Sequence, residues 1–250
     1  MLRKENWRMI PSKAYAVFWL ILDWLFPPTC INCGAVGYRI CSQCQNSINK
    51  STSCVCSICG RRINSTGVCY QCKSKKPNFD QLRSLYDYKD SVREAIHRLK
   101  YENDMGLAEK LAEPLIDYYR AQGWTVDLLV PLPLFERKQI DRGYNQSALL
   151  AIPISLKLGI KYRPNAIIRI KNTKSQVGLN EEERWENVSD AFVADPQIVN
   201  NKTILIIDDV TTTGATMNAA ALAARKAGAK AIYCLTLART FRGFDKTTQI

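Results

Sequence analysis

Hydrophobic and polar positions follow two different patterns along this chain of 250 residues. From residue 81 to about 240, stretches with apolar residues at helical spacing alternate with short runs of Val, Ile and Leu. That alternation predicts an α/β domain whose parallel sheet is flanked by helices. Between residues 29 and 76 the apolar runs are short and cysteine recurs, so we expect a small module with little core of its own.

The periodicity also places the individual elements of the α/β domain. Helices are predicted over residues 91–100, 107–120, 146–158 and 215–227, and strands over 126–131, 166–170, 203–207 and 231–237. Ser91 followed by Glu94 predicts a capping box at the start of the first helix. Pro114 and Pro153 predict a kink or a weak point in the next two helices. The last strand, helix and strand form a βαβ crossover, which implies a parallel sheet with a ligand site at a strand's carboxyl end.

Eight of the ten cysteines occur as Cys-x-x-Cys pairs. The pairs are Cys30 and Cys33, Cys41 and Cys44, Cys56 and Cys59, and Cys69 and Cys72. Each such turn directs two sulfurs to one point, so two turns complete a tetrahedral zinc site. Because all ligands are protein sulfurs, no coordination position is open for a substrate. We therefore predict a double zinc ribbon with two structural zinc ions.

The cysteine module is also an internal repeat, since the spacing from Cys30 to Gly34 recurs from Cys56 to Gly60. Each repeat unit supplies four cysteines, so the simplest assignment is one zinc ion per unit, and pairing between units is the alternative. Disulfides are the rival interpretation. The sequence shows no export signal, so we expect a cytoplasmic protein in a reducing compartment, where such cysteines more often bind metal.

Residues 1–28 are predicted to form an N-terminal amphipathic helix, in which an apolar run at 14–26 follows a basic start. A bilayer span needs roughly 20 apolar residues, so no transmembrane span is expected. Docking on the rest of the protein and lying on a membrane surface are the two alternatives. Residues 241–250 are expected to be a C-terminal tail.

Charge adds a moderate attraction for phosphates. The formal net charge is +12, and residues 1–80 carry 11 lysines and arginines against three acidic residues. A zinc ion with four thiolates has a formal charge of −2, so two such sites reduce this local excess. The net charge alone therefore overstates the case for nucleic-acid binding.

A phosphate site is predicted at the turn after the strand at 203–207. The strand is followed by Asp208 and Asp209, and then by Val210, Thr211, Thr212, Thr213, Gly214, Ala215 and Thr216. Threonine hydroxyls, a glycine that admits close backbone approach and the free N–H groups of a helix start favour an anion. The carboxylates would repel a phosphate, but they suit ribose hydroxyls or a divalent cation. A ribose 5-phosphate fits both halves, and an ordinary strand end with a helix cap is the simpler alternative.

The turn at 206–216 is similar to the phosphoribosyl pyrophosphate (PRPP) motif of type I phosphoribosyltransferases. Other segments follow a matching order, namely Val-Pro-Leu-Pro at 130–133, Arg-Gly-Tyr-Asn-Gln at 142–146 and Gln-Val-Gly-Leu at 176–179. With the cysteine repeat, they resemble the ComF family of bacterial competence-associated proteins. The resemblance implies a type I phosphoribosyltransferase-like domain over 81–240 and a double zinc ribbon over 29–76.

The resemblance also implies roles for individual groups. Asp208 and Asp209 would hold the ribose hydroxyls, residues 211–216 would hold the 5-phosphate, and Mg²⁺ would bridge the pyrophosphate. Contacts to the pyrophosphate are implied for Lys138 and Arg142. For Lys138, a solvated surface position is an equal alternative.

A mobile loop that covers the site is implied for residues 174–184, which include Gln176. Two functions follow from the resemblance. One is Mg²⁺-dependent transfer of ribose 5-phosphate from PRPP to an unidentified acceptor, in a protein associated with DNA uptake. The other is a non-catalytic PRPP sensor that binds single-stranded DNA or proteins of the competence machinery. Tyr70, near Lys73, Lys75 and Lys76, would either stack on bases or pack the ribbon.

Overall fold

A computed structural model describes residues 23–48, 54–171 and 190–240. The strands of its main sheet are β1 Gln81–Asp87, β2 Leu128–Pro131, β3 Lys161–Tyr162, β6 Thr203–Thr211 and β7 Ala231–Arg239. They are all parallel and lie in the order β1-β7-β6-β2-β3. Residues 204–207 of β6 are fully buried, because the sheet is covered on both faces. The predicted parallel α/β fold is confirmed.

The helices of the described residues are α1 Ser42–Ser47, α2 Tyr70–Ser74, α3 Asp90–Tyr101, α4 Leu107–Arg120, α5 Glu136–Arg142, α6 Gln146–Leu158, α7 Pro196–Val199 and α8 Ala215–Lys226. The four predicted helices are confirmed as α3, α4, α6 and α8. Pro114 and Pro153 lie inside α4 and α6 and end neither helix. None of the described helices has the length and apolar character that a bilayer crossing requires.

The capping-box prediction is wrong, although the helix it marked is real. α3 begins at Asp90 after Lys89, and no side chain caps its start. Ser91 lies inside the first turn, where its Oγ donates a 2.7 Å hydrogen bond to Asn32 Oδ1 in the cysteine module. The residue that signals a cap in the sequence therefore forms a contact between domains instead.

The predicted strand at 166–170 is present but lies outside the main sheet. β4 Ile167–Arg169 pairs antiparallel with β5 Phe192–Ala194 in a separate two-stranded sheet. The hydrophobic pattern did not predict β1, because polar residues interrupt its apolar positions. In the main sheet, β1 lies at an edge and pairs with β7 alone.

Alternate residues of the strands face two separate hydrophobic cores. On one face, Leu205 packs with the apolar residues of α3, α4 and α6. On the other face, Ile206 packs with α8 and with the two-stranded sheet. The cysteine repeat units divide in the same way, with Cys30 and Cys44 in the first core and all four cysteines of the second unit in the other.

The predicted N-terminal helix and the tail at 241–250 lie mostly outside the described residues. Residues 23–25 are helical, and the Asp23 carboxylate pairs with the Arg39 guanidinium. Trp24 and Phe26 are exposed to 81% and 74%. Docking and membrane contact therefore both stay predictions, as do the domain boundaries.

Candidate functional site

The cysteines of the repeat form two compact groups, each inside one repeat unit. The groups are Cys30, Cys33, Cys41 and Cys44, and Cys56, Cys59, Cys69 and Cys72, with sulfurs that all lie within 4.8 Å of one another in each group. We call residues 29–48 the first ribbon and residues 54–76 the second ribbon. Because each group draws on a single ribbon, the structure favours the assignment of one zinc ion per unit over pairing between units.

The distances between sulfurs fit zinc and not disulfides. The Cys33 and Cys41 sulfurs are 3.7 Å apart, and so are those of Cys59 and Cys69. Sulfurs at about 2.3 Å from a tetrahedral zinc ion are about 3.8 Å from each other, whereas a disulfide joins them at about 2.0 Å. Two structural zinc sites are therefore supported.

The acidic pair of β6 is held by side chains from two helices. Ser147 Oγ of α6 donates to Asp208 Oδ1 over 2.8 Å, and Lys100 Nζ of α3 lies 2.6 Å from Asp209 Oδ2. The Asp209 carboxylate also accepts a 2.7 Å hydrogen bond from Val210 N. Burial and the Asp209 charge raise the pKa of Asp208 to about 7. Burial opposes the charged form of Lys100, but the two carboxylates outweigh it and raise its pKa.

The turn after the acidic pair opens the 12-residue helix α8. Gly214 precedes the helix with φ of +90°, a backbone conformation that favours glycine. Thr213 Oγ1 accepts a hydrogen bond from Ala215 N over 3.3 Å. The half-buried hydroxyl residues of the turn are Thr212, Thr213 and Thr216, whereas Thr211 is buried at the end of β6. The free N–H groups of the first helical turn make this turn suitable for an anion.

The two basic residues predicted to contact a pyrophosphate, Lys138 and Arg142, both lie in α5. Burial and the charges of Arg169 and Arg142 lower the pKa of Lys138, so Lys138 lies within electrostatic range of each of these arginines. Burial also lowers the pKa of Arg169 in β4, and the Asp208 carboxylate opposes that shift. Arg169 therefore lies within electrostatic range of both Lys138 and the acidic residue Asp208.

Sequence reasoning missed several residues of this region. Lys100 and Ser147 carry no local signal, because their partners on β6 are distant in the sequence. Arg169 and Arg239 had a usable signal, since each interrupts or ends an otherwise apolar strand. Gln176 and the predicted covering loop at 174–184 lie outside the described residues.

A cavity of about 430 Å³ lies between the second ribbon and the start of α8. Tyr70, Lys75 and Lys76 line it, together with Thr213 of the turn at 211–216, which we call the phosphate turn after the anion that the sequence predicts there. Tyr70 is 73% exposed, so it does not pack the interior of the ribbon. Lys73 is also exposed, on the same short helix α2. The basic and aromatic patch therefore borders the phosphate turn.

Comparison with known proteins matches both parts of the chain. The double zinc ribbon domain family matches residues 21–73, and the phosphoribosyl transferase domain family matches residues 145–246. Competence protein F of Haemophilus influenzae is 30% identical over 208 residues, which cover 80% of this chain and 90% of that protein. DNA utilization protein YhgH of Escherichia coli K12 is 30% identical over 209 residues, 81% of this chain and 91% of that protein. Competence protein ComFC of Bacillus subtilis is 27% identical over 216 residues, 81% and 85% of the two chains.

These matches include both the cysteine repeat and the domain that carries the acidic pair. The identity with Competence protein F extends over most of both proteins. The chain therefore belongs to the ComF family, whose members join a double zinc ribbon to a domain of the phosphoribosyltransferase fold.

Proposed function

We propose that this protein binds PRPP with Mg²⁺ at the carboxyl end of β6 and transfers its ribose 5-phosphate to an acceptor. One observation carries the proposal: Asp208 and Asp209 lie near the carboxyl end of the parallel strand β6, which leads after Thr211 into the turn where Gly214 opens α8. The acidic pair suits the hydroxyls of a ribose, and the helix start suits its 5-phosphate. The type I phosphoribosyltransferase-like fold places this turn where parallel α/β proteins bind their ligands.

The side chains around the turn have the charges that such a transfer needs. Pyrophosphate leaves C1 of the ribose while positive charge develops on the sugar, and a nucleophile takes its place. Asp208 and Asp209 accept hydrogen bonds from the ribose hydroxyls and favour the developing positive charge. Lys138 and Arg142, with Arg169 beside them, offset the charge of the leaving pyrophosphate. Mg²⁺, for which carboxylate and phosphate oxygens are suitable ligands, supplies further charge neutralisation when it is bound.

The test is binding of PRPP to variants of the acidic pair. Wild-type protein should be stabilised against heat by millimolar PRPP with Mg²⁺, and calorimetry should give a dissociation constant that Asp208→Asn and Asp209→Asn each raise by about tenfold or more. Asp117→Asn is the matched control, because its carboxylate is 73% exposed on α4. The proposal is wrong if PRPP does not stabilise the wild-type protein, or if the double Asp208→Asn, Asp209→Asn variant binds like the control.

A second candidate function is a PRPP sensor that binds single-stranded nucleic acid with little turnover. It is favoured by the cavity in which Tyr70, Lys75 and Lys76 border Thr213. Exposed aromatic rings stack on bases, and lysines neutralise phosphates. A nucleic-acid strand bound at this patch would then lie next to the phosphate turn.

Two measurements separate the candidates. Release of pyrophosphate from PRPP in the presence of a base or nucleotide supports transfer, whereas tight PRPP binding without release for any acceptor supports the sensor. Salt-dependent binding of single-stranded DNA should weaken in a Lys73→Gln, Lys75→Gln, Lys76→Gln variant. Unchanged DNA binding in that variant would exclude this patch as the strand's contact.

We also propose a cytoplasmic location and a role in DNA uptake. Eight thiols placed to bind zinc are typical of a protein in a reducing compartment. Competence protein F and ComFC are named for competence, and YhgH for DNA utilization. Partners from the uptake machinery are proposed on the same basis, and the exposed Trp24 and Phe26 are the described side chains that suit a peripheral membrane contact.

A further inference from the structure

Arg239 lies between the second ribbon and the phosphate turn. It ends β7, and its side chain is almost fully buried, with 2% of the residue exposed. Its Nη1 donates a hydrogen bond to the Cys59 carbonyl oxygen over 2.5 Å. The guanidinium is therefore fixed from one side by a residue of the second cysteine group.

Arg239 also lies near the glycine that opens α8. A Cβ added to Gly214 would lie 3.7 Å from Arg239 Nη2. A Cβ added to Gly60, which follows Cys59, would lie 3.6 Å from Nη1. The guanidinium thus lies near two glycine turns, one in the second ribbon and one in the phosphate turn.

This buried cation has no carboxylate partner among the described residues. The nearby groups that favour its charged form are the thiols of Cys59 and Cys56. An unpaired charge in a protein interior is unstable, so the cation needs a compensating negative charge. A zinc ion with four thiolates has a formal charge of −2 and would supply it at this position.

The guanidinium also keeps unused donors. Its Nε is buried without a hydrogen-bond partner, and among the described residues no acceptor is recorded for Nη2, which faces Gly214. A positive charge this near to Gly214 favours an anion bound at the turn. The same side chain is therefore placed to respond to zinc on one side and to a phosphate on the other.

We propose that Arg239 is a positioning residue that couples the second zinc site to the phosphate turn. Zinc at Cys56, Cys59, Cys69 and Cys72 holds the guanidinium against Gly214, and a phosphate bound at the turn holds it against the zinc site. Because coupling between two sites is reciprocal, each ligand strengthens the binding of the other. The coupling to phosphate rests on the proposed function of the turn, whereas the support of zinc by Arg239 does not.

The experiment measures the release of zinc from the full-length protein to a coloured chelator, which gives one phase for each zinc site. A variant with Cys30→Ser and Cys33→Ser retains only the second site and so identifies its phase. Arg239→Met should speed release from the second site by about tenfold and leave the first site unchanged. Arg239→Lys keeps the charge, so it should release zinc from the second site more slowly than Arg239→Met but faster than the wild-type protein. It is the variant to use if Arg239→Met does not fold.

Ribose 5-phosphate is then added as the probe of the turn. It should slow release from the second site in the wild-type protein, leave the first site unchanged, and lose its effect in Arg239→Met. Equal acceleration of both phases in Arg239→Met, or no acceleration of either, would overturn the role of Arg239 at the zinc site.

Failure of the coupling is distinguishable from failure of the proposed function. If calorimetry shows that the wild-type protein binds ribose 5-phosphate but zinc release does not change, the coupling is wrong and the phosphate site stands. If the wild-type protein binds no ribose 5-phosphate, the phosphate site and the coupling fall together. In either case, the effect of Arg239→Met on zinc release decides whether Arg239 supports zinc binding at the second site.

Discussion

The two ribbons each carry two Cys-x-x-Cys pairs, but they lie in different surroundings. The first ribbon packs against the core formed by α3, α4 and α6, and there Cys33 is exposed and Cys41 half-buried. Outside that core it is attached by polar contacts, such as the hydrogen bond from Ser91 to Asn32. It covers helices that lie behind the sheet.

The second ribbon is incorporated more deeply. All four of its ligand cysteines are buried. Its backbone joins the edge strand directly, since Leu82 N donates to the Ile58 carbonyl oxygen over 2.8 Å. Its Cys59 lines the same cavity as Thr213 of the phosphate turn. One copy of the duplicated motif is thus attached to the outside of the domain, and the other copy forms a wall of the candidate site.

The largest effect is expected when each zinc site is removed in turn, which tests the difference between the two ribbons. Cys56→Ser with Cys59→Ser should lower the melting temperature by about 10 °C more than Cys30→Ser with Cys33→Ser, because it also leaves the buried charge of Arg239 uncompensated. Calorimetric unfolding in zinc-containing buffer measures the difference. Equal losses for the two pairs would show that the ribbons contribute alike.

Helix α3 offers a second test, because it contacts the first ribbon near its start and the acidic pair near its end. Lys100→Met should lower the free energy of unfolding by about 2 kcal/mol, since the Asp209 carboxylate, whose side chain is 8% exposed, loses its cation. Lys110→Met is the control. Its pair with Glu113 is about half exposed, and we expect a loss below about 0.5 kcal/mol. Similar losses in urea titrations of both variants would contradict a special role for the buried pair.

The contribution of the acidic pair to stability can be measured apart from that of the ribbons, because it depends on pH. Because the folded protein raises the pKa of Asp208 to about 7, folding favours the protonated carboxyl. That contribution is fully present below the ordinary pKa of an aspartate and is lost as the pH rises through 7. From pH 5.5 to pH 7.5, Asp208→Asn should therefore gain about 2 kcal/mol of unfolding free energy relative to wild type.

Urea titrations of the two proteins at both pH values measure that gain. The same gain is expected in a background with Cys30→Ser and Cys33→Ser, since the first ribbon is not expected to set the environment of Asp208. A constant difference between wild type and Asp208→Asn across this range would show that the carboxyl does not titrate near neutral pH.

The smallest predicted effects concern the contacts that attach each ribbon. Ser91→Ala removes one exposed hydrogen bond to Asn32, and we expect a loss of about 0.5 kcal/mol. Asn218→Ala removes the acceptor of two hydrogen bonds from Asn78, which follows the second ribbon, and a larger loss of about 1.5 kcal/mol is expected because Asn218 is buried. Chemical denaturation of both variants checks the order, and the reverse order would weaken the contrast between the two attachments.

The sequence predicts those parts of the structure that are determined by residues close together along the chain. The run at 203–207, the acidic pair and the glycine before α8 lie next to one another, so pattern and turn chemistry identify them together. The two zinc groups are likewise predicted, since each Cys-x-x-Cys turn fixes its own geometry.

The missed features depend on contacts between distant segments. β1 forms at the sheet edge because β7 offers it a partner, and its own sequence lacks a continuous apolar run. The strand predicted at 166–170 is correct in position, but its hydrogen-bonding partner could not be read from its composition. Ser91 was misread as a helix cap because its acceptor, Asn32, belongs to another domain. Arg239 could be recognised as unusual, but its contact with Cys59 bridges 180 residues of sequence.

The position of β1 has a consequence for how the chain folds during synthesis. Its partner strand is distant, since Ser84 and Thr236, whose hydroxyls are hydrogen-bonded, are 152 positions apart in the sequence. On the ribosome, the edge strand therefore waits unpaired until nearly the whole chain has emerged. The ribbons need no such wait, because zinc alone can order a segment of this size. Metal supply during translation would then decide whether the first third of the nascent chain is already folded when the sheet closes.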